Sequence, residues 1–143
     1  MEAVAMSAAG SIFTRIIRRE IPAHVVYEDD AVIAFLDINP LAEGHTLVVP
    51  KRETERIDAL GAVDLAAVGR ALGVVAGKVV AAIGCEGYNI LQNNGPVSGQ
   101  EVPHVHFHII PRAAGDGLGY RWNPQKVTPE SLAALANRIR QAD

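Results

Sequence analysis

Apolar and polar positions change their period several times along this chain, and each change marks an element. Residues 11–19 repeat Ile12, Phe13, Ile16 and Ile17 at helical spacing behind Ser11, a residue suited to cap a first turn, and Pro22 ends the run, which predicts a short helix. Residues 25–28 and 31–36 are rich in β-branched and aromatic side chains and are parted by Asp29-Asp30, the pattern of a hairpin; Asn39-Pro40 closes its second strand. After a turn at 42–45, residues 46–50 predict a third strand stopped by proline, completing a meander. Over residues 64–83 the apolar positions Leu65, Val68, Leu72, Val75, Val79 and Ile83 fall three or four apart, the period of a long helix that buries one face, with Gly84 placed to cap it. Gly69, Gly73 and Gly77 recur within it and are expected to let the helix pack closely on a sheet. Residues 88–93 predict a fourth strand. Within residues 101–112, the strict alternation of histidines with apolar residues predicts a fifth, with His104, His106 and His108 on one face and Val105, Phe107 and Ile109 on the other. Glycine-rich residues 113–119 lead to Trp122, expected to anchor on the core, and Thr128-Pro129 opens a terminal helix carrying Leu132, Leu135 and Ile139. A meander, a crossing helix and two further strands make an α+β domain.

Composition narrows the class. With 143 residues, 49% of them hydrophobic, the chain fills one core, so a single domain over 11–143 is expected behind a tail at 1–10. A net charge of -3, from 13 basic and 16 acidic residues, provides no global basic field, and no nucleic-acid partner is expected. Cys85 has no second cysteine to pair with, which fits a reducing compartment, and a cytoplasmic location is the expectation. The tail lacks the basic start and apolar run of a secretory signal, and no window is read as approaching the ~20 apolar residues of a membrane span, so no membrane partner is expected.

The histidines change the picture most. A single histidine on a polar strand face means little beyond contact with solvent; three in register point to chemistry. Crowded on one face, they disfavour one another's protonation and leave at least one neutral imidazole as base or nucleophile near pH 7. The same spacing can present two ligands to one metal ion, with His45 or a distant acid as a further donor. Histidine chemistry ranks ahead of metal, because the chain has one cysteine and the triplet encloses no carboxylate. The loop at 94–99 is dense in turn formers, and its backbone N–H groups can face an anion without side-chain obstruction, which beside three imidazoles makes a phosphate pocket.

The run His104-Val105-His106-Phe107-His108-Ile109-Ile110 fits His-φ-His-φ-His-φ-φ, with φ apolar, and so resembles the signature of the histidine-triad (HIT) family of nucleotide hydrolases and transferases. The blocks at 27–30, 35–40, 44–51, 93–95 and 99–102 are similar to family blocks in family order, so the likeness covers roughly residues 12–112. It implies a five-stranded antiparallel sheet with one long helix and short terminal helices, paired in a homodimer. It also implies an enzyme, without cofactor, that acts at the α-phosphate of purine nucleoside phosphoramidates or related phosphoanhydrides through a nucleotidyl-histidine intermediate.

Residue by residue, the resemblance implies His106 as the nucleophile, His108 against the phosphate oxygens, and His104 paired with His45 behind them. It implies Phe13, Ile16, Phe35, Leu36, Ile38 and Leu47 around the base, Asp37 at the ribose hydroxyls, and Asn93, Gly99, Gln100, Glu101 and Val102 around the phosphate. Asp37, set between apolar neighbours, needs a polar partner if buried, and a ribose diol offers two donors. Many relatives carry two cysteines for a structural zinc where this chain has Ser11 and Thr14, so no structural metal is expected. Many members of the branch carry a small hydroxyl residue in place of Glu101, which leaves open how the leaving group is protonated. A metal-dependent hydrolase built on the alternating histidines and a non-catalytic nucleotide sensor are the alternatives. Chelator sensitivity separates the first and turnover the second.

Overall fold

The side chain of Asp29 makes the first hairpin: Oδ1 accepts from the backbone N–H groups of Ala31 and Val32, both at 2.8 Å, and turns strand β1 (Val25–Glu28) back into β2 (Val32–Leu36). The computed structural model of the protein describes residues 10–119 and 123–142. Strand β3 (Thr46–Pro50) completes the meander, and β4 (Gly87–Gln92) and β5 (Phe107–Arg112) follow the long helix. All five pair antiparallel in the order β1-β2-β3-β5-β4, which puts the last strand of the sequence inside the sheet and leaves β4 at its edge. Single turns of 3-10 helix at Ile57–Ala59 and Pro96–Ser98 shape the connections.

Alternation divides the core between two faces. Val32 and Ala34 of β2 join Val48 and Ile109 beneath helix α2 (Ala62–Ile83), while Ile33 and Phe35 join Leu47 and Val49 beneath α1 (Ile12–Ile17), which contributes Phe13 and Ile16. Covered on both sides, β2 and β3 read as nearly unbroken apolar runs.

Several expectations need correction. The inner stripe of α2 is Ala67, Val68, Ala71, Val75, Ala76 and Val79, and Leu65 is 39% exposed. Gly69, Gly73 and Gly77 lie on the outer side, where an added Cβ meets nothing within 4 Å. Alanines, equally small for this purpose, therefore give the close approach to the sheet that the glycines were expected to give. By length and composition α2 is long and apolar enough to cross a membrane, which the reading of the sequence did not recognise; here one face of it packs on β2, β3 and β5. The fifth strand starts at Phe107, not 101. Ahead of it His104 N–H donates to Val102 O at 2.8 Å in a tight turn, and Val105 N–H donates to Thr54 O at 2.7 Å, past the end of β3. Helix α3 (Pro129–Gln141) has a capping box between Thr128 and Ser131 and buries none of its residues. The expected tail at 1–10, apart from Gly10, and the expected anchor Trp122 lie outside the described residues.

Candidate active site

A cavity of about 270 Å³ opens between α1, the C-terminal end of β2, the loop at 99–102 and the histidine segment. Phe13, Ile16, Phe35, Leu36, Ile38 and Leu47 line it, as do Asp37, Gly99, Glu101, Val102, His106 and His108. Ile12, Ile21, Pro22, Ala23 and Asn39 line it too and were not anticipated. For Ile21, Pro22 and Ala23 the signal in the sequence was an apolar, proline-bearing connection after α1.

Four implied residues stand outside that lining: Gln100, Asn93, His104 and His45. Gln100 is buried and faces the loop: Oε1 accepts from Gly95 N at 2.6 Å and Nε2 donates to Glu55 O at 2.7 Å, so it holds the loop's shape. Asn93 supports Gly99 from behind, its amide nitrogen 3.5 Å from where a Cβ on that glycine would lie. His104 is fully buried behind His106.

Hydrogen bonds fix the tautomer of each histidine in turn. Leu41 N–H donates to His45 Nδ1 at 3.0 Å, so the proton of neutral His45 sits on Nε2. That Nε2–H points at His108 Nδ1, 2.9 Å away, which puts the His108 proton on its own Nε2. His106 Nδ1–H donates to His104 O at 2.7 Å and leaves a lone pair on Nε2. His104 Nε2–H donates to Pro50 O at 2.8 Å, and its Nδ1 accepts from Ser11 Oγ at 2.6 Å. The expected pairing of His45 with His104 is thus not what forms: opposite Leu47 on β3, His108 is carried toward His45 at that strand's entrance, while His104 turns toward α1.

Burial pushes His45, His104, His106 and His108 all below the ordinary imidazole range. His108 falls furthest, to about 4, because His106 and His45 also oppose its charge. At neutral pH all four are uncharged, and the approach of His45 Nε2 to Asp37 Oδ2 at 3.5 Å is a dipole facing a carboxylate rather than an ion pair.

Ser11 and Thr14 are fully engaged. Ser11 Oγ caps α1 by accepting from Thr14 N at 3.0 Å, and Thr14 Oγ1 and Ser11 N donate to Glu53 Oε1 at 2.6 and 2.7 Å, which holds that carboxylate below its usual range. The four side chains Ser11, Thr14, Glu53 and His104 form a closed hydrogen-bonded clasp. Asp37, His45 and His108 bring ligand atoms within 4.8 Å of one another, a spacing open to a metal ion. The tautomers argue against that use: His45 would have to give up the proton on Nε2 while Nδ1 still receives the Leu41 N–H, an imidazolate rather than an ordinary neutral ligand.

The model of the HIT domain matches residues 18–115, and those residues carry both the sheet and the histidine relay. The chain belongs to the HIT family. A solved HIT family structure from Bacillus subtilis superposes with a TM-score of 0.88 at 38% identity, covering 92% of this chain and 96% of that one. A HIT-like protein of Methanocaldococcus jannaschii is 56% identical over 106 residues, 74% of this chain and 81% of the relative. An adenosine 5'-monophosphoramidase of Schizosaccharomyces pombe is 42% identical over 129 residues, 90% of this chain and 94% of the relative. The HIT fold expected from the sequence, five antiparallel strands with helices, is the fold found.

Proposed function

We propose that this HIT protein is a nucleotide-binding hydrolase or nucleotidyl transferase that acts at the α-phosphate of purine nucleoside phosphoramidates or related phosphoanhydrides. The observation that carries this reading is the His106 ring: Nδ1–H is tied to the His104 carbonyl at 2.7 Å, and Nε2 keeps its lone pair beside a cavity of nucleoside size. A neutral imidazole needs no base to attack, whereas a serine hydroxyl would. The base would lie among Phe13, Ile16, Phe35 and Leu47, and the ribose diol against Asp37, of which Oδ1 also accepts from Asn39 N at 2.8 Å.

In the first step a bond forms between His106 Nε2 and the α-phosphorus as the bond to the leaving group breaks, the leaving group taking a proton from solvent. Water or another acceptor then attacks phosphorus, and the nucleotide departs with the histidine restored. His108 Nε2–H, set by the relay from Leu41 through His45, donates to a phosphate oxygen. Among the backbone N–H groups of residues 99–102, those of Gly99 and Gln100 donate within the turn, to Pro96 O and Gly95 O, which leaves those of Glu101 and Val102 for the anion.

We also infer a homodimer, in the cytoplasm where Cys85 stays a thiol. Strand β4 has one unpaired edge, its Tyr88, Ile90 and Leu91 are exposed, and the open glycine row of α2 lies on an uncovered face. The catalytic reading is tested with adenosine 5'-phosphoramidate: the purified protein should release AMP, and His106→Asn should still bind AMP while turnover falls by roughly a thousandfold or more. Binding without turnover in the unaltered protein would favour a sensor instead.

A further inference from the structure

Seventeen described residues line the cavity, and only two of them, Asp37 and Glu101, carry a full charge at neutral pH; none is a lysine or arginine. His106 and His108, the other titratable members of that lining, are kept neutral by burial. A nucleotide phosphate entering this cavity therefore meets dipoles and no cation among the described residues. Asp37 accepts from Asn39 N, and its Oδ2 lies 3.5 Å from His45 Nε2. Glu101 is different: exposed to solvent, it lines the cavity beside the buried His106, and among the described residues no hydrogen bond or ion pair holds its side chain. Its carboxylate is near enough to act on the charge of the His106 ring. Directly after Gly99 and Gln100, it stands where the phosphate end of the cavity meets water.

We propose that Glu101 selects the leaving group by charge, favouring an amine that carries a positive charge and disfavouring a polyphosphate. The inference rests on the reading that His106 attacks the α-phosphorus. A second or third phosphate would extend negative charge toward Glu101 with no cation in the described lining of the cavity to offset it, whereas an ammonium on the departing amine would meet the carboxylate. Two unit charges several ångströms apart at a partly hydrated mouth change a rate by about tenfold. The bond from phosphorus to the amine nitrogen breaks as the bond to His106 Nε2 forms. The amine keeps the bonding electron pair and takes a proton from water at the mouth, and a water molecule then cleaves the phosphorus–histidine bond to release AMP.

The test compares kcat/KM for three adenylates: AMP joined through nitrogen to 1,3-diaminopropane, which leaves one free ammonium; AMP joined to propylamine, which carries no charge; and diadenosine triphosphate. The propylamine compound is the internal reference, so intrinsic differences between leaving groups cancel when ratios are compared between variants. Glu101→Gln should lower the diaminopropane-to-propylamine ratio by about tenfold and raise the triphosphate-to-propylamine ratio by about tenfold, and Glu101→Lys should carry both further in the same directions. Ratios that stay at their original values in both variants, whatever happens to absolute rates, would overturn the inference and leave the nucleophile untouched. A protein that turns over none of the three compounds would overturn the catalytic reading and this inference with it.

Discussion

Burial is the largest cause that keeps the four histidines neutral, with neighbouring imidazoles adding to it at His108 and His104, and it gives the site a pH signature. His108 takes a proton only near pH 4, and His45, His104 and His106 are pushed the same way. Unfolded histidines protonate near 6.5, so as pH falls below that value the unfolded chain gains protons before the folded one does. Stability is therefore fully present above about pH 6.5 and drains away toward pH 4. Turnover should hold steady through neutrality and fall only in the acid range, with a midpoint well below 6.5, measured as kcat/KM against pH alongside the imidazole signals by NMR. An acid limb centred at or above 6.5 would contradict the neutral relay. At this scale the sequence shows which histidines matter, since alternation at His104, His106 and His108 already sets a shared side. It does not show that His45 binds His108 across 63 positions, because that contact depends on which strands become neighbours. Gln100 was misread for a related reason: its place in a glycine loop suggests an anion, and only the folded loop reveals Gly95 and Glu55 taking both ends of its amide.

Helix α1 and the histidine segment are held together by the clasp of Ser11, Thr14, Glu53 and His104, and the clasp accounts for how the chain manages with hydroxyls at positions 11 and 14. Hydroxyls are weak zinc ligands beside thiolate, and these are already satisfied by hydrogen bonds. Purified, untagged protein should contain far less than one zinc per chain by elemental analysis, and stoichiometric zinc that survives dialysis would overturn this. Ser11→Ala removes both the cap of α1 and the partner of buried His104 Nδ1, and should cost about 2 kcal/mol in urea unfolding. The serine's capping role was legible in the sequence. Glu53 was not, because nothing local distinguishes it from other acids on a polar loop. The start of β5 was misplaced because the alternation begins at His104, ahead of the ladder: the chain there pairs with Thr54 and supplies the carbonyl that orients His106.

For the molecule as a whole, the proposed dimer would draw on the edge of β4 and the outer face of α2, two of the surfaces left open, the edge of β1 being another. The glycine repeat was visible in the sequence, but its side of the helix was not, since alanines and glycines are both small and both recur at helical spacing. Light scattering at micromolar concentration should give about twice the 15.2 kDa chain mass, and Ile90→Lys on the exposed edge strand should lower it toward the monomer; a monomer in the unaltered protein would defeat the dimer and leave the catalytic reading in place. The central claim concerns one atom, His106 Nε2, and rapid quench with adenylate labelled at the α-phosphorus tests it most directly. An acid-labile, base-stable protein adduct should form and decay at catalytically competent rates, map to His106 and be absent from His106→Asn. Near-normal turnover in His106→Asn, or label carried on any other residue, would contradict it.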